Sequence, residues 1–112
     1  FRTDLKPAFE GAVAEPIEVF DLEGEYDVNR PLSKQVVELV NKVPLSPQQW
    51  GQTSLMVYAP TPIVFASAVV AEMHGRMGYF PTACHTRELP NGHAYFEFVN
   101  LQEVRNQART RR

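Results

Sequence analysis

Tyr58, Ala59 and Thr61 lie where a predicted strand passes directly into a predicted helix. Thr61 is suited to be the N-cap of that helix and Pro62 its first residue, so the helix start is chemically well marked. The first N–H groups of a helix have no partner within it, and at the carboxyl end of a strand they offer a place for a phosphate. These residues therefore predict an anion site, and a tight connection without a ligand is the alternative explanation.

Asn91 and His93 belong to the segment LPNGH, a predicted turn between two later strands. The dipeptide Asn-Gly is the strongest short-range signal for a β-hairpin. If the strand before it is parallel to the strand that ends at Tyr58, the turn follows a carboxyl strand end, which is where open α/β sheets bind ligands. The predicted ligand-binding residues are therefore Tyr58, Ala59, Thr61, Asn91 and His93.

We find no sequence pattern that predicts a metal site, a cofactor or a catalytic residue. Cys84 and His85 are neighbours in a predicted strand, so their side chains point to opposite faces and cannot chelate one ion. Glu72 and Arg76 have the spacing of a favourable helical ion pair. His74 and Arg76 near the helix end either satisfy its last carbonyls or bind a ligand. The residues left without an assigned role are His74, Arg76, Asn100 and Arg105.

The elements that would position these residues alternate between helices and strands. Predicted strands cover residues 17–22, 54–58 and 82–88, and a returning strand lies around 95–98. Predicted helices lie around 5–13, after Pro31, after Ser46, over 61–78 and over 101–109. This order predicts a single three-layer α/β domain over residues 1–112, with a mainly parallel sheet and a C-terminal antiparallel hairpin.

The segment 61–78 is almost entirely apolar until Glu72 and His74. Such a pattern predicts a helix that is packed on both sides. Gly78 is the predicted stop of this helix.

The composition favours a small globular protein: 112 residues, of which 44% are hydrophobic and 21% charged. The formal net charge of -2 argues against binding long duplex nucleic acid, which needs a broad basic face. One cysteine, no signal-peptide pattern and no apolar stretch long enough to span a bilayer predict a soluble cytoplasmic protein.

Two strings, EMHGRMGYFP at 72–81 and VNLQEVRNQAR at 99–109, resemble a small family of CRISPR-associated proteins encoded beside type III effector systems. Members of this family look like stand-alone, shortened CARF-type domains. A proline-rich turn into an apolar helix, at 59–71, precedes the first string in the same order. The resemblance covers roughly residues 17–109.

The resemblance implies a CARF-like, shortened Rossmann-like fold. It also implies that an assembly of identical subunits binds a cyclic oligoadenylate messenger, with cyclic tetra-adenylate as the expected ring. Related small proteins either cleave this messenger as ring nucleases or sequester it as sponges. We expect a sponge, because Thr61 and His93 offer little acid–base chemistry.

Two further hypotheses stay open. Domains of this family usually begin with a strand that contributes to the ligand site, whereas the first predicted element here is a helix. The chain would then lack an upstream first strand. An alternative from another class is a protein-interaction adaptor that docks a partner through the arginine-rich C-terminal helix.

Overall fold

The computed structural model describes residues 26–58 and 63–112, which form four helices and three strands. In chain order they are α1 (Leu32–Val40), α2 (Pro47–Gln52), β1 (Met56–Tyr58), α3 (Ile63–Met77), β2 (Thr82–Glu88), β3 (Ala94–Asn100) and α4 (Leu101–Arg109). The prediction of an α/β protein is confirmed. The predicted first helix and the predicted strand 17–22 lie outside the described residues.

A buried glutamine ties α1 to the loop before it. The backbone N–H of Asp27 donates to Gln35 Oε1 at 2.8 Å, and Gln35 Nε2 donates to the carbonyls of Asp27 at 2.8 Å and Arg30 at 2.9 Å. Both ends of the amide are therefore bonded, as a buried polar group requires. Pro31 takes the N-cap position of α1 and provides no side-chain cap. The hydrogen bonds of Gln35 therefore connect the loop to the helix.

The start of α2, which was predicted after Ser46, is fixed by a capping box. Ser46 Oγ accepts from the backbone N–H of Gln49 at 3.2 Å, and Gln49 Oε1 accepts from the backbone N–H of Ser46 at 2.8 Å. Pro47 occupies the first turn, where its missing N–H leaves no bond unmade. This short helix places Trp50 in the core.

β2 is the central strand of the sheet, whose order is β1-β2-β3. β1 pairs with it in parallel, and the last pair places Tyr58 opposite Cys84. β3 pairs with it antiparallel along its full length, with Glu88 opposite Ala94 nearest the turn. The sheet of the described residues is therefore mixed rather than mainly parallel, and α3 is the crossover between its parallel strands.

The turn between β2 and β3 is built around a proline and a glycine. The backbone N–H of Gly92 donates to the carbonyl of Leu89 at 2.9 Å, and that of Leu89 donates to the carbonyl of His93 at 2.7 Å. Gly92 has a φ of 86°, while no described non-glycine residue has a positive φ. A two-residue turn of type I′ would need a positive φ at Asn91 as well, so this is a longer turn that ends on a left-handed glycine.

The core lies between α3 and the two helices that precede it. Its buried members are Val36 and Val40 of α1, Trp50 of α2, and Phe65, Val69, Met73 and Met77 of α3. The α3 members recur every four residues, so they form one stripe along the helix. Leu55 and Val57 pack against this cluster from the β1 side.

The expectation that α3 is packed on both sides is wrong. Ile63 and Val64 in its first turn are 80% and 62% exposed, and Ser67 and Ala71 are also exposed. Alanine carries so little apolar surface that exposing it has a small cost, which lets a helix look apolar throughout while it buries one stripe. Gly78 ends the helix as predicted, with a φ of 85° and its N–H bonded to the carbonyl of His74.

Arg76 joins the three described helices around this core. Its Nε donates to Glu72 Oε2 at 2.9 Å, which is the predicted ion pair within α3. Its Nη2 donates to Asn41 Oδ1 at 2.8 Å, just beyond α1. Its Cζ lies 5.3 Å from the centroid of the Trp50 ring in α2. One guanidinium thus supplies an ion pair, a hydrogen bond and a cation–π contact.

Replacing Arg76 by methionine should lower the free energy of unfolding by about 1–2 kcal/mol, because the aliphatic stem is kept and the polar contacts are lost. Urea unfolding followed by the fluorescence of Trp50 measures the effect. Arg30→Met is the matched control, since Arg30 forms one exposed ion pair with Glu38, and its loss should be clearly smaller. Equal losses in the two variants would contradict a joining role for Arg76.

Candidate functional site

Tyr58, Thr86 and Phe96 form a small aromatic and hydroxyl group at the carboxyl end of β1. The hydroxyls of Tyr58 and Thr86 are hydrogen bonded at 2.8 Å. The rings of Tyr58 and Phe96 meet edge to face, with centroids 6.2 Å apart and planes at 84°. All three side chains are half-buried, so the group offers both ring surface and hydroxyl oxygens at the sheet surface.

The sheet register explains why these three residues meet. Tyr58 is level with Cys84, and Thr86 is level with Phe96. Residues in register share a face, and so do residues two apart on one strand, so Tyr58, Thr86 and Phe96 all lie on one face. Tyr58 was predicted as a site residue, whereas Thr86 and Phe96 were not. The register of β2 with β3, which places Thr86 opposite Phe96, would have identified both residues.

α3 begins at Ile63, five positions after Tyr58, and its N-terminus therefore follows the carboxyl end of β1. This is the geometry on which the predicted anion site depends. Ala59 and Thr61 fall in the connection 59–62, which lies outside the described residues. Their proposed role at the helix start stays a prediction.

Asn91 and His93 are exposed in the turn and make contacts within it. The N–H of His93 donates to Asn91 Oδ1 at 3.0 Å. β1 ends level with Cys84, while β2 continues four residues further to Glu88, which is about 13 Å at the rise of an extended strand. The structure therefore does not bring Asn91 and His93 beside Tyr58 along the strand direction.

The residues without a sequence-assigned role have structural contacts at the opposite end of β2. The ring of His74 lies 4.1 Å from that of Phe80, centroid to centroid, and the N–H of Phe80 donates to Gln102 Oε1 at 2.9 Å. Asn100 caps α4 by accepting from the N–H of Glu103 at 3.0 Å. Asn100 followed by Glu103 has the sequence pattern of a capping box, but the box is incomplete, because the Glu103 carboxylate instead accepts from Gln107 Nε2 within the helix.

Arg105 lies on α4, where its Nη1 donates to Asn106 Oδ1 at 3.0 Å. None of the nine residues of α4 is buried, and Val104 is 55% exposed. The helix is attached to the rest of the protein mainly at its first turn, through the Asn100 cap and the Gln102 bond to Phe80.

The other face of the β2–β3 ribbon carries a second polar group that sequence reasoning missed. His85 Nε2 donates to Glu97 Oε1 at 2.6 Å, and Arg87 Nη1 donates to Glu97 Oε2 at 3.1 Å. Tyr95 stands directly across from Arg87. The pKa of the Glu97 carboxyl is lowered, first by the hydrogen bond from His85 and then by that from Arg87. We call His85, Arg87, Tyr95 and Glu97 the ionic block.

Cys84 precedes His85 in β2 and lies on the opposite face of the sheet from the ionic block. It is a buried free thiol, and burial raises its pKa to about 11. The thiol is therefore protonated at neutral pH, which leaves it a core residue rather than a nucleophile. Within 26–58 and 63–112, no three His, Cys, Asp or Glu residues are arranged to hold a metal ion.

No helix among the described residues is both long and apolar enough to cross a bilayer. Comparisons with protein-family models, with curated proteins and with solved structures find no match to this chain.

Cys84 should react slowly with a thiol reagent such as Ellman's reagent in the native protein, at least tenfold more slowly than in urea, because thiolate is the reactive form. The chain has one cysteine, so the absorbance change reports this residue alone. Equal rates in the native and unfolded protein would show that the thiol is accessible.

Replacing Glu97 by glutamine should destabilise the protein at pH 7, and the difference from wild type should shrink as the pH falls. A lowered pKa in the folded state means that Glu97 stabilises the fold while it is ionised. That contribution is present above the ordinary value of 4.5 and is lost as the pH falls through the folded-state pKa below it. Urea midpoints between pH 7 and pH 3 measure it.

The control for this prediction is the same Glu97→Gln change in a protein that already carries His85→Gln and Arg87→Gln. There the carboxylate has lost both partners, and the change should have little effect at any pH. An equally large effect in that background would assign the stabilisation to a different interaction.

Proposed function

We propose that this protein binds and sequesters a cyclic oligoadenylate messenger, with cyclic tetra-adenylate as the expected ring, and so damps type III CRISPR signalling. The observation that carries the proposal is the group of Tyr58, Thr86 and Phe96 at the strand end that α3 follows. Aromatic surfaces stack bases, hydroxyls bond to sugars and bases, and helix N–H groups bind phosphate. A nucleotide combines these three chemistries.

The charge distribution is consistent with binding through backbone and hydroxyl groups rather than through a basic face. Arg30, Arg76 and Arg87 each form an ion pair with a nearby glutamate. The phosphates of the ligand would then be met chiefly by N–H groups at the start of α3. The connection that holds Ala59 and Thr61 is the segment that would approach them.

In this proposal the chain is a single CARF-like domain with a shortened, three-layer Rossmann-like fold. The parallel pair of β1 and β2 joined by α3 is the unit that such a fold requires. A ring of four nucleotides has two-fold symmetry, so a cytoplasmic homodimer that presents two copies of the site would bind it. Ile63 and Val64, which are exposed at the start of α3, suit contact with a second copy.

A protein-interaction adaptor is the second candidate, and the exposure of α4 favours it. The segment 105–112 contains four arginines and no acidic residue, whereas the whole chain has a net charge of -2. The remaining residues, with 7 basic and 13 acidic side chains, therefore carry a net charge of -6. A basic, exposed helix end on an acidic body would attract an acidic partner.

Calorimetric titration with cyclic tri-, tetra- and hexa-adenylate tests the first proposal. Phe96→Leu should weaken binding of the preferred ring by about tenfold, because a base loses an aromatic partner. Tyr95→Phe, a change on the opposite face of β3, is the matched control and should leave the affinity unchanged. The absence of binding to all three rings would refute the proposal.

Chromatography of the nucleotide recovered after long incubation separates a sponge from a ring nuclease. Intact cyclic tetra-adenylate supports sequestration, and linear di-adenylate formed over many turnovers would assign cleavage instead. Removal of residues 109–112 separates both from the adaptor, because a messenger-binding protein should keep its ligand affinity without the arginines. A protein that stays monomeric with and without ligand would contradict the proposed assembly.

A further inference from the structure

The ionic block has no part in the proposed messenger site, because it lies on the other face of the β2–β3 ribbon. His85 is level with Glu97, and Arg87 is level with Tyr95. Adjacent pairs on one face of a sheet place their four side chains within a few ångströms of one another. An imidazole, a guanidinium, a phenol and a carboxylate are thus brought together on one surface.

The contacts within the ionic block give its members different roles. Glu97 contacts both His85 and Arg87: one carboxylate oxygen lies 2.6 Å from His85 Nε2, and the other lies 3.1 Å from Arg87 Nη1. The bond at Nε2 fixes the proton there and makes Nδ1 the basic nitrogen of the imidazole. Arg87 uses one nitrogen for this contact, and a guanidinium carries further N–H donors for a phosphate.

The block is open to a long substrate. The side chains of His85 and Arg87 are 55% and 54% exposed, that of Glu97 is 37% exposed, and Tyr95 is 44% exposed. An exposed surface with a base, an anion-binding group and an aromatic ring suits an extended polymer better than an enclosed small molecule. The aromatic ring can stack on a base while the guanidinium contacts the neighbouring phosphate.

We propose that His85, Arg87, Tyr95 and Glu97 form a site that cleaves single-stranded RNA by metal-independent transphosphorylation. RNA carries its own nucleophile, the 2′-hydroxyl beside each phosphodiester, so the protein has to supply a base, charge stabilisation and alignment. The block contains a group for each of these requirements. DNA lacks the hydroxyl and is excluded as a substrate.

In the reaction, His85 Nδ1 accepts the proton of the 2′-hydroxyl as the 2′-oxygen forms its bond to phosphorus. The bond from phosphorus to the 5′-oxygen breaks, and its electron pair stays on that oxygen, which takes a proton from water. The hydroxide so formed takes the proton from His85, which restores the imidazole. The products are a 2′,3′-cyclic phosphate and a 5′-hydroxyl end, and no water is consumed.

Arg87 stabilises the additional negative charge on the phosphorane, and Tyr95 holds the adjacent base. Glu97 is a positioning residue, because it acts through His85 and Arg87. An ion pair between Arg87 and Glu97 alone would account for strand pairing. Such a pair would not need His85 on the other carboxylate oxygen of Glu97, nor Tyr95 opposite Arg87.

The test uses the full chain and a fluorescent DNA oligonucleotide that contains a single ribouridine, with EDTA present. We expect one cut, on the 3′ side of the ribouridine, that leaves a 2′,3′-cyclic phosphate. The all-DNA oligonucleotide should stay intact. Because uridine replaces adenosine and the substrate is linear, this result does not depend on messenger binding, and either proposal can fail alone.

Variants assign the activity to the block. His85→Ala and Arg87→Ala should each lower the rate by about 100-fold or more. Glu97→Gln should lower kcat with little change in KM, since the substrate contacts remain. Arg30→Ala and Glu88→Gln, exposed changes outside the block, should leave the rate unchanged, and circular dichroism should show that every variant is folded.

Three results would overturn the proposal. The first is no cyclic phosphate above a protein-free blank between pH 5 and pH 8. The second is cleavage that persists in His85→Ala protein purified in the same way, which would identify a contaminating nuclease. The third is cleavage that EDTA abolishes, which would require a metal ion.

Discussion

The register of β2 with its two neighbours is the constraint on which the arrangement of both groups depends. Side chains alternate along a strand, so a shift of one residue would exchange the faces of the whole strand. With Tyr58 level with Cys84, and Glu97 level with His85, hydroxyl and aromatic groups collect on one face and ionic groups on the other. The buried Cys84 belongs to the first face, and such a shift would move it to the face that carries the ionic block.

Polar side chains hold this sheet and its helices in place across long stretches of sequence. Gln35 bonds to the loop before α1, Arg76 bonds to the residue after it, and Gln102 bonds to the start of β2. In each case a side chain satisfies a group that the secondary structure leaves unpaired or charged. The apolar stripe of α3 supplies the burial, and these hydrogen bonds connect the elements around it.

The local elements of the described chain could largely be read from the sequence. Ser46 and Gln49 predicted the start of α2, Gly78 the end of α3, and Asn100 the start of α4. These signals work because caps and left-handed glycines depend on a few adjacent residues. Strand bounds were less accurate, since β1 begins at Met56 rather than at residue 54.

Contacts between strands could not be read in this way, because no local signal encodes which residue of β3 stands across from which residue of β2. The sequence showed that His85 and its neighbour Cys84 cannot share a metal ion, but it did not show the partner of His85, which is Glu97, twelve positions away. The burial of α3 was overestimated for a similar reason, because the sequence shows which residues are apolar and not what covers them. The missed contact and the wrong expectation both concern tertiary pairing.

Asn100 is at once the last residue of β3 and the N-cap of α4, so strand and helix share one residue and have no linker between them. An extra residue at this junction would separate the cap from the helix or move Gln102 away from Phe80. The turn 89–93, which is exposed throughout, has no such restriction on its length. Insertions and deletions among homologues should therefore accumulate in that turn and be rare between β3 and α4.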